Sequence, residues 1–192
     1  MRSFKVIIPA TVDLLTLSEV KLHLKVDTTF EDTLITNLIK AATSSCEEYT
    51  NRFFLTTTIT QYGDNWGNVS ELFKTPVQSK FFTVKYYDTS EVLQILAVTE
   101  YILDNISAPS RFCPAPGKSF PNLSNRINAV EISYGVGTDS ASDVDNGIKQ
   151  AVLLTIGHWY ANRETVVVGR IASEVPMAAK YLLDQYKIQV IR

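Results

Sequence analysis

Hydrophobic residues recur every three or four positions near both ends of the chain, a spacing that is typical of amphipathic helices. The clearest stripe predicts a helix over residues 30–50 that ends near Asn51. The Thr-x-x-Glu spacing of a capping box occurs at residues 16–19 and again at 28–31, and each occurrence predicts a helix start. Two further stripes predict helices over residues 143–162 and after Pro176.

Between these helical segments, apolar and polar residues alternate with a period of two, in stretches rich in β-branched and aromatic side chains. Turn-forming residues separate the stretches, which favours consecutive antiparallel strands over βαβ units. Residues 107–124 contain four prolines and predict an ordered loop. The predicted strands cover residues 53–62, 69–73, 82–86, 91–96, 100–103 and 130–134.

The order of these elements predicts an α+β protein, in which a helical bundle formed by N- and C-terminal helices carries an inserted antiparallel β meander. Residues 1–192 then make a single chain unit. Within it, residues 14–52 and 143–192 form the helical part and residues 53–137 form the β insertion.

Composition narrows the classes of function. The chain has 192 residues, with 18 Lys and Arg against 20 Asp and Glu, for a formal charge of −2. This balance disfavours a nucleic-acid-binding module, which normally carries a basic face. Cysteines and histidines are few and far apart, so we expect neither a disulfide framework nor a zinc site, and Cys46 is predicted to be a buried thiol. The N-terminal residues fit neither a signal peptide nor a membrane span, and we expect no membrane partner.

No group of residues has the spacing of a catalytic or cofactor site. Gly117–Ser119 ends like a phosphate-binding loop, but Phe112 stands where that loop needs its first glycine. Asp143 and Asp145 lack the glycine and distal glutamate of a calcium loop, and they fit a helix start better. We therefore expect no enzyme activity and no cofactor.

Two segments near the C-terminus predict interaction surfaces. Residues 159–164 combine the aromatic and charged side chains that are enriched at interaction hot spots, although Trp159 also fits a core position. Three adjacent valines cannot share one face of an extended chain, and the residues after Tyr186 alternate like a strand without a local partner. The interface candidates are Trp159, Tyr160, Asn162, Arg163, Glu164, Val166, Val167, Val168, Arg170, Tyr186, Ile188, Val190 and Arg192.

Five segments carry a resemblance to a known family: Leu15–Asp27, Glu31–Ile35, Ala41–Arg52, Trp159–Glu164 and Pro176–Tyr186. In this order they resemble the helices of the head–tail connector, or adaptor, proteins of long-tailed bacteriophages and prophages. The β segment is similar to the variety of that family with a large β insertion. Two departures are Asn51, where a glycine is usual, and Lys187, where an arginine is expected.

The resemblance implies a structural virion protein of the neck region, assembled in the host cytoplasm. About a dozen copies would form a ring under the portal protein, and a neck or tail completion protein would dock on that ring. Genome DNA would pass through the channel without sequence-specific contacts, because tight phosphate binding would oppose ejection.

A second interpretation is a β-rich carbohydrate- or host-binding module of a phage particle. Its basis would be exposed aromatic side chains on the predicted strands and turns, which could stack on a bound sugar. The aromatic residues in question are Tyr62, Trp66, Phe81, Tyr86 and Tyr87.

Overall fold

The structure is a computed structural model, which describes residues 3–163, 166–167, 170–171 and 175–188. Residues 79–80, 166–167 and 170–171 are described by their backbone alone. The chain folds into two compact units, one of residues 3–10 and 56–137, the other of residues 11–55 and the described part of 138–188. The first unit contains antiparallel sheets and the second contains four helices, which confirms the α+β class.

Local sequence signals explain how the helices begin and end. The capping box predicted at the first helix is confirmed, because the Glu19 amide donates to Thr16 Oγ1 at 3.2 Å and the Thr16 amide donates to Glu19 Oε2 at 2.7 Å. The second helix ends at Asn51, as predicted, where a left-handed φ of 57° stops it. The helices are α1 (Leu17–Leu24), α2 (Asp32–Thr50), α3 (Asn146–Ala161) and α4 (Met177–Asp184).

The capping box predicted at residues 28–31 is wrong. Helix α2 begins at Asp32, and its N-cap residue Glu31 makes no side-chain cap hydrogen bond. The Glu31 carboxylate instead accepts hydrogen bonds from Tyr160 and Arg163, at the other end of the chain. The Glu31 carboxylate therefore makes a tertiary contact and not the capping-box hydrogen bond that the sequence predicts.

The helices of the second unit share one hydrophobic core. Side chains from all four helices are buried in it, and the Cys46 thiol lies there as predicted. Burial raises the pKa of Cys46 to about 11, since the thiolate would lose its hydration. The fully buried residues of this core include Val20, Ile35, Ala42, Cys46, Ala151, Val152, Ile156, Ala179 and Leu183.

The first unit is built around a five-stranded antiparallel sheet. Its strand order is β1-β2-β7-β3-β4, and β5 pairs with β6 in a separate hairpin. The strands are β1 (Ser3–Ile8), β2 (Thr57–Gly63), β3 (Val77–Tyr87), β4 (Leu93–Ile95), β5 (Tyr101–Asp104), β6 (Arg111–Pro114) and β7 (Val130–Val136).

The predicted meander is wrong, because the last long strand lies in the middle of the sheet. Strand β7 pairs with β2 along its whole length, from Thr57 opposite Val136 to Gly63 opposite Val130, and it pairs with β3 on its other side. No short turn joins β2 to β3, since a 3₁₀ helix at Trp66–Val69 and an irregular stretch separate them. Because β2 and β3 are not joined by a tight turn, they need not be neighbours, and β7 lies between them.

Several strand boundaries also differ from the sequence prediction. Residues 69–73 form no strand. The Leu72 amide donates to the Ser110 carbonyl oxygen and the Phe112 amide donates to the Ser70 carbonyl oxygen, but these bonds make an isolated bridge and not a continuous ladder. The predicted loop at 107–124 contains strand β6, which pairs with β5. Strand β1 was not predicted, since its apolar run is short and does not alternate cleanly.

Candidate assembly surfaces

The aromatic and charged cluster at the end of α3 is held by contacts within the helical unit. Tyr160 donates its hydroxyl hydrogen to Glu31 Oε2, and Arg163 Nη2 donates to Glu31 Oε1 at 2.6 Å. The Arg163 guanidinium also lies over the Tyr160 ring, 4.7 Å from its centroid. Three side chains therefore join the start of α2 to the end of α3.

The electrostatics of this cluster follow from the shared carboxylate. Hydrogen bonds from Tyr160 and then from Arg163 lower the pKa of Glu31, because both favour the charged form. The same contacts raise the pKa of Tyr160 and of Arg163. The Arg163 side chain remains half-exposed, so it can still contact another molecule while it holds Glu31.

Two more candidates of this segment stabilise the end of α3. Trp159 is half-buried and packs against the hydrophobic core. The His158 carbonyl oxygen accepts hydrogen bonds from both the Asn162 amide at 3.0 Å and Asn162 Nδ2 at 2.8 Å, so Asn162 caps the end of the helix. Glu164 lies outside the described residues.

The candidate Tyr186 links the two C-terminal helices. Its hydroxyl hydrogen-bonds to Asp145, the N-cap residue of α3, and this bond raises the pKa of Tyr186 to about 12. The same bond and the Gly147 amide lower the pKa of Asp145. Nearby, the Tyr49 hydroxyl donates to Asp184 Oδ1 at 2.6 Å, so α2 is tied to the end of α4 as well.

The expectation that the C-terminal tail lacks a local partner is wrong at Ile188. Its side chain is only 6% exposed, and its amide donates to the Thr50 carbonyl oxygen at 3.0 Å. Residue 188 is therefore part of the helical unit's own packing. Val190 and Arg192 lie outside the described residues.

The valine segment forms a short hairpin with the residues that follow it. Strand β8 (Val166–Val167) pairs antiparallel with β9 (Arg170–Ile171), with Val166 opposite Ile171. Its backbone thus has a partner in the same chain. Val168 lies outside the described residues, so the backbone evidence concerns Val166, Val167 and Arg170 alone.

Other exposed apolar side chains were missed by the sequence interpretation. In the helical unit they lie at the turn before α2 and on the outer faces of α1 and α4, and Phe30 is 95% exposed. An open groove of about 630 Å³ between α1 and the start of α2 contains the 2.6 Å ion pair between Lys21 and Asp32. The other exposed residues of this set are Leu22, Met177 and Tyr181.

The ends of the five-stranded sheet are also apolar and exposed. Every residue of β1 is exposed, as are Leu93 and Ile95 of β4. Strand β4 lies within the strand predicted over residues 91–96, but the sequence does not show that it is an edge of the sheet. The same holds for β1, because strand order is set by pairing between distant segments.

The aromatic residues that suggested a sugar-binding module are mostly used inside the sheet unit. The Trp66 ring stacks on Phe120 with centroids 4.3 Å apart, and its indole nitrogen donates to the Pro121 carbonyl oxygen at 2.9 Å. The Tyr87 ring is covered by the Arg126 guanidinium, which lies 3.7 Å from its centroid. Phe81 is exposed, but one exposed ring does not make a stacking platform.

The remaining chemical candidates have simple structural roles. Lys118 Nζ forms a 2.9 Å ion pair with Glu100, and Asp145 caps α3. Across the described ranges, His, Cys, Asp and Glu side chains form no group of three or more that could hold a metal ion. None of the helices in the described part of the chain is long and apolar enough to cross a membrane.

Comparison with known families identifies the chain. A profile of the head completion protein family matches residues 13–189, which is most of the sequence. The chain belongs to the head completion protein family. The resemblance to connector proteins of phage-like particles is thereby confirmed, and this head completion protein is a structural protein, not an enzyme.

Solved structures show where the fold of this head completion protein recurs. A chain in the neck of an empty GTA particle, computed with C6 symmetry, matches with a TM-score of 0.77 and 21% identity over 100% of this chain and 97% of that one. A chain in the virion of the native gene transfer agent (GTA) matches with a TM-score of 0.77 and 19% identity, over 98% and 97% of the two chains.

A third match comes from the neck of the native GTA particle computed with C12 symmetry. Its TM-score is 0.74 at 19% identity, and it covers 100% of this chain and 97% of that one. No curated protein sequence matches the head completion protein. At these identities the structural matches establish a shared fold over nearly the whole length of both chains.

Proposed function

We propose that this head completion protein forms a ring of about a dozen copies under the portal, in the neck of a phage-like particle. The ring joins the head to the neck or tail and lets the genome pass through its centre. The observation that carries the proposal is the fold shared along the whole chain with a chain from a neck computed with C12 symmetry.

The charge distribution supports a channel through which DNA slides. Among the described residues, the sheet unit has seven basic and seven acidic residues, and the helical unit has nine basic and eleven acidic residues, so their formal charges are 0 and −2. Neither unit carries the strong positive charge that grips phosphates and makes binding tight. The DNA contact is therefore proposed to be weak and independent of sequence.

The proposed partners are the portal protein on one side of the ring and a neck or tail completion protein on the other. The organisation that suits this role is a helical bundle of residues 14–52 and 143–192, interrupted by the β insertion of residues 53–137. Cys46 and Cys113 are both free thiols, which is consistent with assembly in the reducing host cytoplasm.

A deletion of the gene in its own phage or prophage tests this role. We expect DNA-filled heads without tails, or heads that leak DNA, in electron micrographs of the lysate. The wild-type chain should restore tailed particles, and so should the control Lys118→Ala, which removes only an exposed ion pair. Normal tailed particles in the deletion strain would refute the role. Tailed particles that fail to adsorb to cells would instead support the host-binding module.

A further inference from the structure

The five-stranded sheet ends in two strands that each have one partner. Strand β1 pairs only with β2 at one end of the sheet, and β4 pairs only with β3 at the other end. Among the described residues, no third segment pairs with the outer edge of either strand. Such edges present backbone groups on which another strand can form hydrogen bonds.

The hydrogen bonds around β4 define which of its backbone groups face outward. The Asp88 amide donates to the Val92 carbonyl at 3.0 Å, and the Leu96 amide donates to the Val84 carbonyl at 2.9 Å. Because hydrogen-bonded pairs alternate along an antiparallel ladder, the amides and carbonyls of Leu93 and Ile95 point away from β3. The Ile95 side chain is also 70% exposed.

The opposite edge is apolar as well. Phe4, Val6 and Ile8 are exposed in β1, and Lys5 is the only charged residue of that strand. The pairing register with β2 shifts between Val6 and Ile8, so the regular part of the edge is residues 3–6. Soluble monomers usually protect a sheet edge with charges or proline, and β4 contains neither.

We infer that β1 of one copy pairs with β4 of the next copy, so that the sheets of neighbouring subunits join edge to edge around the ring. The inference rests on the proposed ring. A cyclic ring needs two different surfaces on each copy, which contact each other head to tail. The two ends of one sheet meet this requirement, since they are different surfaces and their backbone hydrogen-bonding groups are complementary.

Disulfide cross-linking in assembled particles tests the contact. Ser3 and Lys5 lie on the same face of the sheet as Leu93 and Ile95. This follows from the pairing register, because residues directly opposite each other on neighbouring strands share a face. Four double variants combine Ser3→Cys or Lys5→Cys with Leu93→Cys or Ile95→Cys, and so sample the possible registers. All carry Cys113→Ser, because that native thiol is exposed.

Mild oxidation of purified particles should give a ladder of covalent oligomers for at least one double variant. Each single-cysteine variant should remain a monomer on a non-reducing gel. If none of the four double variants gives such a ladder, in particles that contain the normal amount of the protein, the edge contact is overturned. The proposed ring is not affected by that result. Loss of the wild-type protein from purified necks would refute the proposed function itself. Dimers from Ile95→Cys alone would indicate β4–β4 pairing and would also overturn the inference.

A proline pair gives an independent test. Ile95→Pro removes an outward-facing amide and leaves the ladder with β3 intact, so the melting temperature should stay close to that of wild type. The variant should nevertheless fail to enter particles. Val98→Pro is the control, since Val98 is exposed and is the first residue of a short 3₁₀ helix, where proline is tolerated. Equal incorporation of both variants would exclude β4 as the interface.

Discussion

Replacement of Gln61 by leucine should destabilise the sheet unit. Gln61 is fully buried on β2, and its Nε2 donates to the Glu71 carbonyl oxygen at 2.9 Å. Its Oε1 accepts from the Phe73 amide at 3.1 Å and from the Tyr134 hydroxyl at 2.9 Å. One side-chain amide therefore joins residues 71–73 to strands β2 and β7, and a leucine of similar size would remove all three contacts of that amide.

The size of the effect follows from the number of bonds lost. Each buried hydrogen bond contributes about 0.5–1.5 kcal/mol net, so Gln61→Leu should cost ~2–4 kcal/mol. Tyr134→Phe removes a single hydroxyl hydrogen, which Gln61 Oε1 shares with the Phe73 carbonyl oxygen 2.8 Å from the hydroxyl, and it leaves the amide its other two contacts. We therefore expect a cost of about 1–2 kcal/mol. The order of the two variants matters as much as the values, because it tests whether the amide is the centre of the network.

The two tryptophans allow each unit to be followed separately. Trp66 belongs to the sheet unit and Trp159 to the helical unit, so a Trp159→Phe background makes urea unfolding of the sheet visible by fluorescence. Asn122→Leu is the matched control, since Asn122 lies in the same unit, is exposed and should change stability by less than about 0.5 kcal/mol. A Gln61→Leu variant as stable as this control would refute the network argument.

Three further outcomes follow from the helical unit and its thiols. Hydrogen bonds from the Tyr160 hydroxyl and the Arg163 guanidinium hold the pKa of Glu31 below the ordinary value of 4.5. The stability that the Glu31 carboxylate adds is therefore present above pH 4.5 and is lost as the pH falls through the pKa of Glu31 in the folded protein. The melting temperatures of wild type and Glu31→Gln should therefore converge in acid, and a constant difference would contradict this. Ile156→Ala should destabilise the unit by about 2–5 kcal/mol in urea unfolding followed by Trp159 fluorescence, whereas the exposed Met177→Ala should cost less than about 0.5 kcal/mol. A thiol reagent should label Cys113 in the native protein and Cys46 only after unfolding, so rapid labelling of both would show that the helical core is not closed.

Helices were predicted well because their signals are local. The stripe over residues 30–50 and the left-handed Asn51 lie within a few residues of the structure they specify. Sheet order was not predictable in the same way. Alternation identifies which residues share a face, but it does not say that β1 pairs with β2 some 50 positions later, or that β7 separates β2 from β3.

The surface candidates show the same limit. Aromatic and charged residues at the end of α3 have the composition of an interaction site, yet Glu31, more than a hundred residues away, binds two of them. Ile188 alternates like an unpaired strand and is nevertheless buried beside Thr50. Composition indicates which side chains can make strong contacts, and only the fold decides whether the partner is the same chain.

The central claim is that this head completion protein forms a ring in the neck, and an electron cryo-microscopy reconstruction of the neck of its own particle tests that claim most directly. The account predicts a ring of about a dozen copies with this fold, in contact with the portal and surrounding the DNA channel. A neck without this fold, or the protein located elsewhere in the particle, would contradict it.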